Sequence, residues 1–228
     1  MSKMAILIDG GFYRARARQK FGFCQKTPEE NVNDVDAYCQ MHAKAALDEG
    51  RELYRIFYYD CPPIEAIVTN PVTKVRVDLS KSDTFTMITK FLQLLATRRK
   101  MAIRRGKLGA GYARYVLKPK VQDALLNGRK TIDALTADDV RLDIDQKGVD
   151  MRLGLDFVEI SLKRLVDQIV LVSGDSDFIP AIKMARREGV DVILDPMGNH
   201  VPDELIEHVD GVRSFFDNPI FAKAPTNP

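Results

Sequence analysis

Cysteine and histidine are both scarce, with three of each in 228 residues. Cys24, Cys39 and Cys61 are odd in number, lie far apart and form no CxxC or other metal-type spacing. That argues against a disulfide framework and leaves reduced thiols of a cytosolic protein as the expectation. His42, His200 and His208 show no zinc-type pairing either. No apolar run approaches the ~18 residues that a membrane span needs. The opening "MSKMAILIDGG" lacks a signal-peptide layout, because its apolar run is short and leads straight to an acid. A cytoplasmic protein without a membrane partner is expected. GxSxG is absent, as is any internal repeat, and "GKLGAG" lacks the GKS/T ending of a phosphate-binding P-loop.

What is present begins with an apolar fraction of 45% and a mean hydropathy of −0.19, which suit a globular chain with ample core. The length allows one large domain or a core with an inserted subdomain. Charge is unevenly placed. Residues 98–130 hold eleven lysines and arginines against Asp123 alone, a net of +10. The rest of the chain has 23 basic and 31 acidic residues, a net of −8. A concentrated basic block on an otherwise acidic chain points to a polyanionic partner, namely nucleic acid.

Short apolar runs alternate with helical periodicity. "MAILID", "ELYRIFYYD", "QIVLVS" and "VDVILD" read as buried strands. "KMAIRRGKL" and "DDVRLDIDQKGVD" read as further strands. Helices are expected in the segment ending at Gly50, in "TFTMITKFLQLLATRR", "KPKVQDALLNGRK", "MRLGLDFVEISLKRLVD", "DFIPAIKMARREG" and "PDELIEHVD". The segment with Pro62, Pro63 and Pro71 reads as loop, and Gly106, Gly109 and Gly111 as a mobile one. Such alternation implies an α/β fold with a mainly parallel sheet covered on both faces. Ligands gather at the carboxyl ends of strands in these sheets. Asp9, Asp175 and Asp195 each follow a strand and Asp150 starts a helix, so the expected site is acidic. A single such aspartate is ordinarily a cap or turn residue. Several unpaired carboxylates in one cleft need cations, and oxygen ligands without His or Cys suit magnesium or manganese.

Three blocks, "AILIDGGFY", "KGVDMRLGLDFVEI" and "IVLVSGDSDFIPAIKMARREGVDVIL", resemble the NYN domain, a branch of the PIN-like nucleases. The resemblance implies a three-layer α/β/α PIN-like (Rossmann-like) sandwich over residues 1–217. It also implies a basic insertion or variable region around 98–137 and a flexible tail at 218–228. By position it makes Asp9, Asp150, Asp175 and Asp177 the catalytic and metal-binding cluster for Mg2+ or Mn2+. Asp156 is a second-tier candidate, six residues past Asp150 and about 120° around a helix. One departure is Phe12, where many members carry asparagine.

The expected chemistry is metal-dependent phosphodiester hydrolysis. Asp9 and Asp175 would bind the first ion, and Asp150 and Asp177 would complete the site or orient water. Ser173, Ser176 and Lys147 are candidates for the phosphate, and Arg98, Arg99, Arg104, Arg105 and Lys107 for the rest of the strand. Tyr112 and Tyr115 are candidates for base stacking or packing. The resemblance favours RNA over DNA; the residues themselves do not separate the two. Self-association is neither required nor excluded. The alternative is a non-catalytic nucleic-acid-binding or regulatory module, for which Phe12 speaks. A nucleotide phosphatase is a weaker third reading, since it would leave the basic block without use.

Overall fold

The computed structural model describes residues 2–107, 113–144 and 148–218. Two compact units emerge: Met1–Asp60 with Lys90–Gly106 and Gly148–Pro228, and Cys61–Thr89 with Lys107–Lys147.

The first unit is built on a six-stranded sheet. In chain order its strands are β1 (Ser2–Asp9), β2 (Arg51–Asp60), β5 (Met101–Arg105), β8 (Gln168–Val172), β9 (Asp191–Asp195) and β10 (Gly211–Val212). They lie in the order β10-β9-β8-β1-β2-β5, and every adjacent pair is parallel. Met4 to Ile8 and Ile169 to Val172 are fully buried. Such runs belong to strands covered on both faces, which is why they read as unbroken apolar segments.

Helices make the outer layers. They are α1 (Gly10–Lys20), α2 (Pro28–Asp48), α5 (Val149–Leu162), α6 (Ile179–Arg187) and α7 (Asp203–Ile206). Adjacent residues of β2 show the two faces, because successive side chains of a strand point oppositely. The Tyr58 ring meets Tyr13 of α1 edge-on, and Tyr13 in turn meets Tyr38 of α2. The Tyr59 hydroxyl instead donates to Asp156 of α5. The result is the expected α/β/α sandwich. α2 begins three residues before the "NVNDVDAY" segment, because Thr27 and Glu30 form a reciprocal capping box and Pro28 fills the first turn.

Among the described residues the second unit has two antiparallel strand pairs, the hairpin of β3 (Ile67–Thr69) with β4 (Arg76–Asp78), and β6 (Ala113–Leu117) with β7 (Val140–Ile144). α4 (Pro119–Leu126) follows β6, and α3 (Asp83–Leu95) runs across the division at Lys90. The β3–β4 hairpin lies in the segment expected to be loop. Its strands are only three residues long, too short to leave an alternation in the sequence.

The region expected to be an insertion, 98–137, falls partly in each unit. Gly109, Gly111, Tyr112, Lys147 and all of the expected tail except Asn218 lie outside the described residues. Tyr115 pairs with Leu142 in the antiparallel β6–β7 pair.

Candidate active site

From β1 the chain crosses to β2 and β5 on one side, while β8, β9 and β10 extend on the other. The order reverses between β1 and β8, the place where open parallel sheets leave a crevice at their carboxyl ends. Asp9 ends β1, and Asp175 stands three residues past the end of β8.

Asp9 caps α1: its Oδ1 accepts the Phe12 N–H at 3.1 Å. Gly10 makes this turn possible. A Cβ there would lie 2.6 Å from both the Tyr59 carbonyl and the Tyr58 ring, so only glycine fits. Asp175 repeats the device one strand away. Its Oδ1 accepts the Asp177 N–H at 2.9 Å and caps a short 3-10 turn, Ser176–Phe178, that leads into α6. The cap therefore serves this turn and not α6 itself. Asp150 occupies the first turn of α5 behind Gly148, whose φ of 78° favours glycine. Hydrogen bonding fixes Asp9 and Asp175 through one oxygen each without neutralising either.

The electrostatics link Asp9 to Asp150, and Asp150 to Asp175 and Asp177. Burial pushes the Asp9 carboxyl up to about 6; the negative fields of Asp150 and Asp60 add to it, and the N–H groups of Phe12 and Gly11 offset part. Asp150 is also raised, first by burial and then by Asp175 and Asp177. Among the described residues, none of Asp9, Asp150, Asp175 and Asp177 forms an ion pair. Arg14, whose guanidinium feels the Asp9 charge, is engaged by Asp60 at 2.7 Å.

Among the described residues no group of three or more His, Cys, Asp or Glu side chains is close enough to form a ready-made metal shell. The donor chemistry nevertheless fits a hard divalent cation. Magnesium keeps several of its waters and needs only one or two carboxylates beside substrate phosphates. Mutually repelling, unpaired carboxylates are the groups such an ion relieves.

Other candidates fall elsewhere. Asp195 ends β9 but is fully buried, accepting from the Tyr38 hydroxyl at 2.6 Å and the Met197 N–H at 2.7 Å, with His42 Nε2 at 2.7 Å. It belongs to the core, not to the acidic crevice. Asp156 is taken by Tyr59 at 2.9 Å and Arg104 at 2.8 Å. Ser173 is fully buried and accepts the Asp175 N–H at 3.2 Å, whereas Ser176 is half-buried. Arg104 and Arg105 lie at the carboxyl end of β5, opposite Tyr59 and Asp60. Arg98 and Arg99 precede the same strand and so lie at its other end; Arg98 pairs with Asp36 at 3.1 Å and Asn33 at 2.5 Å. Lys107 is exposed in the second unit.

Sequence reasoning missed Asp60. It stands at the end of β2 beside Asp9, fully buried and held by Arg14. The signal was the "YYD" that closes the aromatic strand before "CPP". Phe12, the departure from the family pattern, lies over Gly174, where an added Cβ would come within 2.9 Å of its ring.

A three-layer α/β/α protein with unpaired carboxylates at the switch point of a parallel sheet is a PIN-like arrangement. The family model for the NYN domain matches residues 73–215, more than half of the chain, and the chain belongs to that family. Membership implies a nuclease-like function. Asp150, Asp175 and Asp177 lie inside the matched span and Asp9 before it. No curated protein matches the chain. A crystal structure of a protein of unknown function from Vibrio parahaemolyticus is similar at a TM-score of 0.46 and 14% identity, over 95% of this chain and 94% of that one. Among the described residues no helix is long and apolar enough to cross a membrane.

Proposed function

We propose that this protein is a divalent-metal-dependent nuclease that hydrolyses phosphodiester bonds, with single-stranded RNA as its first substrate. The observation that carries the reading is the field that links Asp9 to Asp150, and Asp150 to Asp175 and Asp177, at the switch point, with none of the four in an ion pair among the described residues. Asp9 and Asp175 would hold the first ion, and Asp150 and Asp177 would complete its surroundings or orient water. Bound magnesium or manganese supplies charge neutralisation at the phosphoryl oxygens and a more acidic water.

The chain's own groups set the stage. The Phe12 and Asp177 N–H groups each hold one oxygen, of Asp9 and of Asp175 respectively, and so fix the two carboxylates in place. Phe12 contributes no side-chain amide where many family members carry asparagine, and its ring lies against Gly174. Ser176 can donate to a phosphate oxygen. Of the basic block, Arg105 is the best placed to meet phosphate, because it is exposed at the carboxyl end of β5 and Arg104 is tied to Asp156.

Phe12 also favours a second reading, a non-catalytic nucleic-acid-binding module. Labelled single-stranded RNA and DNA incubated with the protein and manganese separate the two. The nuclease reading expects RNA cleavage by wild type that is lost in Asp9→Asn. Binding without cleavage by wild type would establish the module instead.

A further inference from the structure

β5 begins late beside β2. Met101 pairs with Ile56, so residues 51–55 of β2 have no β5 partner. The notch that this leaves holds a pocket of about 540 Å³. Ala43, Lys44 and Leu47 line it from α2, their three- and four-residue spacings placing them on one helix face. Arg51, Glu52 and Leu53 line it from β2, and Arg99 and Lys100 from the turn that precedes β5. All of these belong to the first unit.

The lining holds four cations against Glu52, a net of +3. Arg51 is already engaged by Glu49 and Asp191. Lys44, Arg99 and Lys100 are exposed, and none of them forms an ion pair among the described residues. Sequence keeps Lys44 far from Arg99; folding brings both to one pocket. Lys100 adds a second sign. Its φ of 64° lies in the left-handed region, where glycine is favoured. It occupies the third position of a turn in which the Met101 N–H donates to the Arg98 carbonyl at 3.2 Å. Glycine would relieve that strain but would lose the ammonium, which donates to the Leu53 carbonyl on the open stretch of β2 and so holds the charge at the pocket. Apolar surface lies beside these cations, since Leu47 is 57% exposed and Leu53 half-buried.

We infer that this pocket is a second seat for RNA, at the opposite end of the sheet from the carboxylates, with phosphates on Lys44, Arg99 and Lys100 and a sugar or base against Leu47 and Leu53. The charge of the pocket's own lining selects the occupant. A two-fold contact with a second copy of this chain would set these cations against themselves, and an apolar partner would leave them unanswered. A polyanion with apolar faces between its charges meets both features. Choosing RNA among polyanions rests on the nuclease reading. β2 rises about 3.3 Å per residue, so Arg51 at its start stands roughly 30 Å from Asp60 at its end. At one phosphate per ~3.4 Å, a strand needs about nine nucleotides to reach from the pocket to the acidic end.

Fluorescence anisotropy with the full chain in chelator tests the seat without requiring cleavage. The probes are a labelled oligouridylate of about 20 nucleotides and a labelled polyglutamate of similar length. Lys44→Gln/Arg99→Gln changes two exposed side chains. It should weaken oligouridylate binding about tenfold and reduce the salt-dependence slope by about 1.4, the share of two phosphate contacts on a single strand. Lys183→Gln/Arg187→Gln removes the same charge from α6 and should bind within about twofold of wild type. Wild-type affinity and slope in the first variant would overturn the seat, as would equal losses in both. Polyglutamate bound as tightly as RNA, and lost in the first variant, would also overturn it and give the pocket to an acidic protein. With manganese present, the first variant should raise KM for the long oligomer about tenfold at unchanged kcat and leave a tetranucleotide, too short to reach the pocket, unaffected. An equal rise in KM for both lengths would count against the seat. Failure of the nuclease reading would look different: wild type cleaves neither length, with the binding losses above still present.

Discussion

Asp175 and Asp195 follow neighbouring strands at the same end of one sheet, yet they have opposite fates. Asp195 is fully buried, and the Tyr38 hydroxyl, His42 and the Met197 N–H all lie within 2.7 Å of its oxygens. His42 Nδ1 is buried without a partner, so the tautomer that leaves fewest unmet groups carries its proton on Nε2 and donates it to Asp195. Asp175 is exposed and has one backbone hydrogen bond, and its charge is felt by Asp150. Position at a strand end is shared. What differs is the supply of donors, and that supply separates a structural carboxylate from one free to serve chemistry.

The largest expected effect lies on the structural side. Asp195→Ala removes the acceptor from three buried partners and should cost about 3–5 kcal/mol in urea denaturation, with no recovery on adding manganese. A loss below about 1 kcal/mol would erase the contrast. Next comes pH. The Asp9 carboxyl is pushed up to about 6 when folded. The folded state therefore holds this proton more tightly, and the Asp9 contribution to stability is full at low pH and is lost as pH rises from about 4 through 6. In metal-free protein that decline should approach about 3 kcal/mol at pH 7 and be absent in Asp9→Asn, where the amide cannot ionise. The smallest effect should come from Asp156, whose Arg104 partner is largely exposed. Asp156→Asn should cost about 1 kcal/mol or less and leave RNA cleavage intact, measured by denaturation and turnover in parallel.

Much of this was legible. The apolar runs located β1, β2, β8 and β9 because strands buried on both faces cannot hide in a sequence. "DGG", "KGVD" and "SGDSDF" placed four carboxylates whose neighbourhood the structure supports through the fields acting on Asp9 and Asp150. Asp195 read the same way as they did, since Tyr38 and His42 lie more than 150 residues away and only folding brings them to it. The basic block is dispersed by folding for a related reason. Arg98 and Arg105 are seven residues apart in sequence but at opposite ends of β5, so charge density along the chain does not become charge density in space.

The most direct test is manganese binding followed by electron paramagnetic resonance. The account expects wild-type protein to take up Mn2+, Asp9→Asn and Asp175→Asn to lose most of it, and Asp195→Asn, if folded, to retain it. Uptake that is the same in all four proteins, or lost only in Asp195→Asn, would contradict it.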